Sequence, residues 1–200
     1  MRIGKFLVST NVNGPGRRFV IWFQGCPLRC SGCFNPEFWN EEGGLFMSVK
    51  EMMPHINSAQ DIEGVTFTGG EPLIQAKSII PLASAIKLNG LSIVCYTGYL
   101  YQEILADKVP YGKELLKFVD ILIDGLYVEE EKASLLWRGS RNQKVYFLTD
   151  RYEDFETLVL KEGIREVELK VGENELVMTG IFDTEIWKRL KKKVNQNEHA

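Results

Sequence analysis

The sequence lacks an excess of basic residues, long apolar runs and all but two histidines. Lysine and arginine number 24 against 27 aspartates and glutamates, and the net charge of −3 argues against a general nucleic-acid-binding protein. No apolar run approaches the roughly 18 residues that a membrane-spanning helix needs. Residues 1–5 also lack the apolar stretch of a signal peptide. These absences predict a cytoplasmic protein that binds neither nucleic acid nor a membrane.

Cysteine is scarce too, but three of the four cysteines fall within eight residues. Cys26, Cys30 and Cys33 form the pattern CxxxCxxC, and the glycine and proline residues around them favour a loop that wraps around one centre. In a reducing compartment, clustered thiols indicate metal ligands rather than disulfides. The sequence therefore predicts a metal-binding loop.

The number of ligands bears on the kind of metal. A structural zinc ion takes four protein ligands, and only Cys95, His55 or His199 could complete a set. An iron–sulfur cube usually takes four cysteines, so three would leave one iron open to a substrate. A cube with an open iron is the favoured interpretation, and a zinc or purely structural loop is the alternative.

Strands and helices alternate along the first 150 residues. The pattern predicts strands at 2–9, 18–24, 64–68, 91–96 and 120–124, and helices at 48–58, 73–88, 100–106 and 113–119. The turn-rich residues 11–16 favour a hairpin between the first two strands. The alternation indicates parallel βαβ units. A full eight-unit barrel needs about 250 residues, so we expect an α/β fold with a partial, open barrel of parallel strands.

The last 50 residues differ in character from the rest of the chain. Residues 165–171 and 175–179 alternate apolar and polar positions around Gly172, Glu173 and Asn174, which predicts a β-hairpin. Asp183 then begins a predicted helix that ends in three lysines at 191–193. We therefore expect a core at 1–150 and a C-terminal α+β extension at 151–200, packed on or beside it.

Four segments follow predicted strands: the cysteine loop, residues 69–72, residues 97–98 and residues 124–125. Because ligands of parallel α/β folds bind at the carboxyl ends of the strands, we expect these segments to line one mouth. Two adjacent glycines at 69 and 70 would let the backbone approach a ligand closely.

The cysteine loop, together with Gly-Gly-Glu-Pro at 69–72, resembles the radical S-adenosylmethionine (SAM) enzymes. The resemblance implies that Cys26, Cys30 and Cys33 bind three irons of a 4Fe-4S cluster. It also implies that SAM binds the fourth iron through its amino and carboxylate groups. The residues to which it assigns cofactor binding are Gly32, Phe34, Thr68, Gly69, Gly70, Glu71, Pro72, Thr97 and Asp124.

Further strings narrow the resemblance. The chain is similar in several short segments to the activating proteins of anaerobic ribonucleoside-triphosphate reductase. They are Val-Asn-Gly-Pro-Gly at 12–16, Cys-Ser-Gly-Cys-Phe-Asn-Pro at 30–36 with Trp39, Tyr-Thr-Gly-Tyr at 96–99, Asp-Gly at 124–125 and Leu-Trp-Arg-Gly-Ser-Arg-Asn-Gln at 136–143. This family resemblance implies formation of a 5′-deoxyadenosyl radical, which takes hydrogen from a glycine of a glycyl radical enzyme. It also implies a flavodoxin- or ferredoxin-type electron donor, and it leaves a homodimer open.

Two other functions remain open from the sequence. One is a radical SAM enzyme that acts on a small molecule, such as a 7-carboxy-7-deazaguanine synthase-like protein, and the other is a non-catalytic metal-binding module.

Two residues also have open roles. Arg138 could pair with a carboxylate of SAM or of the partner, or form a surface ion pair. Cys95 lies in an apolar strand, and we expect it to be buried and inert, with a redox-active thiol as the alternative.

Overall fold

The computed structural model describes residues 1–171, 176–182, 186, 189–190 and 192. The strands are β1 (Arg2–Thr10), β2 (Arg18–Phe23), β3 (Leu45–Phe46), β4 (Gly64–Gly69), β5 (Ser92–Tyr96), β6 (Ile121–Asp124), β7 (Lys132–Leu135), β8 (Arg138–Ser140), β9 (Lys144–Phe147), β10 (Val167–Val171) and β11 (Leu176–Gly180). The α-helices are α1 (Val49–Ser58), α2 (Ala76–Leu88), α3 (Tyr101–Leu105), α4 (Gly112–Leu116) and α5 (Glu156–Val159). Short 3-10 helices span Pro36–Phe38, Pro72–Gln75, Glu129–Glu131 and Asp150–Phe155.

A seven-stranded sheet in the order β3-β1-β2-β4-β5-β6-β9 forms the centre of the fold. Its four middle strands, β2, β4, β5 and β6, are parallel, as the alternation of strands and helices predicts. The outer strands β1, β3 and β9 pair antiparallel. The predicted hairpin accounts for β1, whereas the antiparallel β3 and β9 add to the predicted set of parallel strands. β1 and β2 are antiparallel neighbours joined by a short turn, so the predicted hairpin is confirmed. A parallel pair would need a connection of about a dozen residues or more.

Helices cover one face of this sheet. Helix α1 begins at a capping box, in which the side chains of Ser48 and Glu51 each accept a hydrogen bond from the other's backbone N–H. Helix α2 buries a stripe of apolar side chains against the sheet: Ile79, Leu82, Ala83 and Ile86. The opposing sheet residues Phe19, Ile21 and Phe67 are fully buried in the same core. Alternate residues of each strand therefore pack under the helices, and the others point to the opposite face.

The opposite face is covered by later parts of the chain that are mostly not helical. Val94, Ile121 and Ile123 of the sheet share a buried cluster with Trp137, which lies between β7 and β8, and with Tyr152. The Tyr152 hydroxyl also lies 2.6 Å from Ser92 Oγ. Residues beyond 150 thus take part in burying the sheet, and the division of the chain at residue 150 stays a prediction.

The C-terminal hairpin is confirmed. Strands β10 and β11 pair antiparallel, with Val167 opposite Gly180 and Val171 opposite Leu176. The predicted turn at 172–174, the helix start at Asp183 and the lysines at 191 and 193 lie outside the described residues.

Nowhere in the described parts of the chain is there a helix with the length and apolar character needed to cross a bilayer.

The buried guanidinium of Arg18 ties together the amino ends of three parallel strands. It donates to Thr66 Oγ1 at 2.7 Å, to the Val65 carbonyl at 2.9 Å and to Ser92 Oγ at 3.0 Å. The side chain is fully enclosed, and its burial lowers the arginine pKa. Its hydrogen bonds therefore replace water that the group has lost.

We expect Arg18→Met to lower the free energy of unfolding by about 3 kcal/mol, because each buried polar group left unpaired costs roughly 1–3 kcal/mol. Arg17→Met is the matched control, since Arg17 is exposed. Urea unfolding followed by circular dichroism measures both. Equal stability of the two variants would show that the Arg18 hydrogen bonds contribute little.

Candidate metal centre

The cysteine loop begins directly after β2 and is held at its start by backbone hydrogen bonds. The Gly25 N–H donates to the Phe38 carbonyl at 2.8 Å, and the Cys26 N–H donates to the Trp39 carbonyl at 3.2 Å. Gly25 has a φ of +96° and Gly32 a φ of +71°, both in the region that favours glycine. The Cys33 N–H then donates to the Cys30 carbonyl at 3.2 Å, which closes a turn between these two residues.

The three cysteines of the loop are free thiols that line one cleft. Cys26 is buried, whereas Cys30 and Cys33 are half-buried. The cleft has a volume of about 140 Å³ and lies at the carboxyl ends of the parallel strands. Its other walls come from the loops after β4, β5 and β6, so the expected convergence of these segments is confirmed.

Burial and N–H donors act against each other on the thiols. Burial raises the pKa of Cys26, and backbone N–H groups of Leu28 and Arg29 oppose this shift. Burial likewise raises the pKa of Cys33, against donors from Asn35 and Trp39. The Asn35 N–H lies 3.4 Å from Cys33 Sγ. These donors would stabilise thiolates, which is the form that binds iron.

The described side chains of histidine, cysteine, aspartate and glutamate include no group of three or more that could hold a single metal ion. The cysteines of an iron–sulfur cube bind different irons and so need not converge on one point. Three free thiols with N–H donors around one cleft are a donor set that fits such a cluster.

The Gly-Gly-Glu-Pro loop packs directly on the start of the cysteine loop. The Gly70 N–H donates to the Phe23 carbonyl and the Glu71 N–H to the Gly25 carbonyl, both at 2.8 Å. A Cβ on residue 70 would lie 2.2 Å from the Gly25 carbonyl oxygen, and Gly69 has a φ of +109°. Glycine at both positions therefore lets the two loops approach closely.

Glu71 joins this loop to the one after β5. Its carboxylate accepts from the Leu73 N–H at 2.9 Å, the Thr97 hydroxyl at 2.8 Å and the Gly98 N–H at 2.8 Å. Complete burial raises the pKa of Glu71 to about 7, although all three donors lower it. Thr97 is thus a support for Glu71 as well as a residue of the cleft wall.

Most of the predicted site residues line the cleft. Besides the cysteines, they are Phe34, Thr68, Gly69, Gly70, Glu71 and Thr97. Three others do not line it: Gly32, Pro72 and Asp124. The buried Asp124 accepts from the Tyr101 N–H at 2.7 Å and the Lys144 N–H at 3.3 Å, so its carboxylate holds neighbouring backbone in place. The cofactor-binding roles that the resemblance assigns to Gly32, Pro72 and Asp124 stay predictions.

The sequence did not assign Tyr127, Trp39 and Gln143 to the cleft, although Trp39 and Gln143 belong to recognised strings. Gln143 Nε2 donates to the Gly125 carbonyl at 3.0 Å, and its Oε1 accepts from the Gly139 N–H at 2.9 Å. The string at 137–143 therefore folds back on the end of β6.

The side chains with open roles have structural contacts. The Arg138 guanidinium donates to the carbonyls of Gln143 and Val159, so it holds two backbone segments together. Cys95 is fully enclosed in the core beneath the helices, and burial raises the pKa of its thiol. It lies apart from the cysteines of the cleft, as its apolar strand predicts.

An α/β sheet with a three-cysteine loop at the mouth of its parallel strands defines the class of protein. Residues 12–146 match the family model of the 4Fe-4S single cluster domain, which spans more than half of the chain. The class is therefore that of single-cluster iron–sulfur proteins.

Similar proteins identify the family within this class. The activating protein of anaerobic ribonucleoside-triphosphate reductase from enterobacteria phage T4 is 38% identical over 146 residues, covering 70% of this chain and 89% of its own. The protein of the same name from Escherichia coli K12 is 32% identical, covering 68% and 92%. The pyruvate formate-lyase-activating enzyme of Clostridium pasteurianum is 36% identical, covering 60% and 50%. The chain belongs to the radical SAM family of anaerobic ribonucleoside-triphosphate reductase-activating proteins.

We expect Glu71→Ala to lower the free energy of unfolding by about 3 kcal/mol or more, because the donors that now meet the carboxylate would lose their acceptor, at roughly 1–3 kcal/mol each. Thermal and urea unfolding of the metal-free protein measure the loss. Glu114→Ala, at an exposed helical position, is the control and should stay within about 0.5 kcal/mol of the parent. A Glu71 variant as stable as this control would contradict the role of Glu71 as a structural bridge.

Proposed function

We propose that this protein is a glycyl radical enzyme activase of the cytoplasm. In this proposal it cleaves SAM reductively at a 4Fe-4S cluster, and the resulting 5′-deoxyadenosyl radical takes a hydrogen atom from a glycine of anaerobic ribonucleoside-triphosphate reductase. The observation that carries the proposal is the shared cleft of three cysteines and the Gly-Gly-Glu loop, in a chain of the activating-protein family.

Cys26, Cys30 and Cys33 are the proposed ligands of three irons. Three protein ligands would leave one iron open to SAM. The bound cluster would supply the low-potential electron that reduces the sulfonium, since such clusters reach about −700 mV. Burial raises the pKa of Cys26 and Cys33, and the N–H donors around them oppose that rise. These donors would stabilise the thiolates once iron binds.

The neighbouring loops would shape the site for SAM. Gly69 and Gly70 bring backbone to the cleft wall, and Glu71 fixes the loop after β5 against them. A Cβ on Gly98 would lie 2.4 Å from Leu28 Cδ1, so glycine at this position lets the Leu28 side chain pack closely against the loop after β5. In this proposal these residues mainly position backbone around the cofactor, which converts the reaction into an intramolecular one.

The fold supports the proposal through its open sheet. Parallel strands β2, β4, β5 and β6 would form part of the partial barrel of radical SAM enzymes, with residues 1–150 as the core and 151–200 as the extension. The glycine loop of the partner would approach at the mouth, where Leu126 is 42% exposed beside the cleft. A flavodoxin- or ferredoxin-type donor completes the proposal, and a homodimer stays a prediction.

We expect Cys30→Ala to lose the four-iron cluster and SAM cleavage, because one ligand of the cube is removed. Iron, sulfide and zinc analysis after anaerobic reconstitution is the first measurement, followed by electron paramagnetic resonance of the reduced protein with and without SAM. About four irons per chain and a spectrum altered by SAM are expected for the parent. Cys95→Ala is the matched control and should keep both properties, since Cys95 lies in the core.

Stoichiometric zinc, or a spectrum indifferent to SAM, would overturn the proposed chemistry and favour a non-catalytic metal-binding module. Formation of a glycyl radical on added reductase tests the partner separately. SAM cleavage without that radical would leave the cofactor assignment intact and would favour a small-molecule substrate of the 7-carboxy-7-deazaguanine synthase-like kind.

A further inference from the structure

A second cavity lies next to the cysteine cleft, on the sheet face that the helices do not cover. It has a volume of about 110 Å³ and shares Phe34, Thr68 and Tyr96 with the cleft. Five consecutive residues of its lining come from the C-terminal hairpin and the segment directly after it: Met178, Thr179, Gly180, Ile181 and Phe182. The extension therefore forms one wall of the space beside the proposed cluster.

Specific hydrogen bonds hold this wall in place. Thr179 Oγ1 donates to Asn13 Oδ1 at 2.7 Å, and Asn13 also lines the cavity. On the partner strand, the Glu168 carboxylate accepts from the Thr10 hydroxyl at 2.8 Å and from the Asn11 N–H at 2.9 Å. The hairpin is thus anchored on the turn between β1 and β2.

The wall also contacts the cysteine loop itself. The ring of Phe182 meets the ring of Phe34 edge to face at 5.3 Å, and Phe34 directly follows Cys33. Tyr127 packs against the same Phe34 ring at 5.1 Å. Phe182 is 6% exposed, so this contact is part of the protein interior.

The matched family model ends at residue 146, before the hairpin begins. The residues that define the family therefore do not include this wall. The Phe182 contact is a property that the extension adds to the site.

We propose that residues 176–182 are a fixed wall of the cofactor cavity, and that Phe182 is a positioning residue that braces the cysteine loop through Phe34. This inference rests on the proposed function for the identity of the cofactor. The brace itself concerns only residues of this chain. It limits the motion of the loop segment that carries Cys33 and keeps water from the inner side of the site.

The metal-free, reduced protein gives a test that needs no cluster. We expect Phe182→Ala to raise the iodoacetamide alkylation rate of Cys33 roughly two- to tenfold, the size expected when one aromatic contact is lost. Peptide mass spectrometry reads each cysteine separately, and the enclosed Cys95 serves as the internal reference. Phe182→Tyr keeps the ring and should restore the parent rate. Val171→Ala is the control on the same hairpin, at a side chain that is 78% exposed.

The reconstituted protein provides the second readout. We expect Phe182→Ala to keep its cluster and to need several-fold more SAM to alter the electron paramagnetic resonance spectrum. Thr179→Val removes the hydrogen bond to Asn13 with little change in shape and should shift both readouts in the same direction. It also keeps the test valid should Phe182→Ala fold poorly.

Parent-like Cys33 alkylation in Phe182→Ala would overturn the brace. If alkylation of Cys33 and Cys95 rises equally in Phe182→Ala, that variant has unfolded generally, and Thr179→Val then decides: parent-like Cys33 alkylation in Thr179→Val overturns the brace. If the parent protein binds no cluster or its spectrum ignores SAM, the proposed function fails instead. The alkylation experiment would still decide on the brace in that case.

Discussion

The buried carboxylate of Glu71 is the constraint on which the mouth of the sheet depends. It accepts hydrogen bonds from the loops after β4 and β5, while the backbone N–H of the same residue donates to Gly25 at the start of the cysteine loop. Hydrogen bonds of Glu71 alone thus connect the loops after β2, β4 and β5. Complete burial raises the carboxyl pKa to about 7, so the free energy of burying the charge opposes the hydrogen bonds that hold it.

That pKa has a consequence for stability. A carboxyl whose pKa is raised from 4.5 to about 7 binds more protons in the folded state between those values. Its contribution to stability is therefore greatest below pH 4.5 and falls as the pH rises through about 7. Above pH 7 the ionised carboxylate therefore opposes folding, while its three hydrogen bonds still favour the connection between the loops.

Much of the fold and part of the site could be predicted from local patterns. The strands β2, β4, β5 and β6, the helix that starts after Ser48 and the hairpin of β10 and β11 follow from periodicity, capping and turn residues. The cysteine cleft follows from the rule that loops meet at the carboxyl ends of parallel strands. The antiparallel β9 and the packing of Trp137 against Phe155 could not be predicted, because both depend on contacts between distant segments.

The contacts of the C-terminal extension could not be predicted for the same reason: they join segments that are distant in the sequence. Its alternating pattern predicts a hairpin but not the surface that the hairpin meets, and the Thr179 contact joins residues 166 positions apart. On the sheet face without helices, the side chains of Val94, Ile121 and Ile123 need later segments of the chain to cover them. Burial of apolar side chains of this size is favourable by about 1.5–3 kcal/mol each. Tyr152 and Val159, beyond the matched family region, supply part of that cover. The region that defines the family is therefore smaller than the region that must pack together around the site.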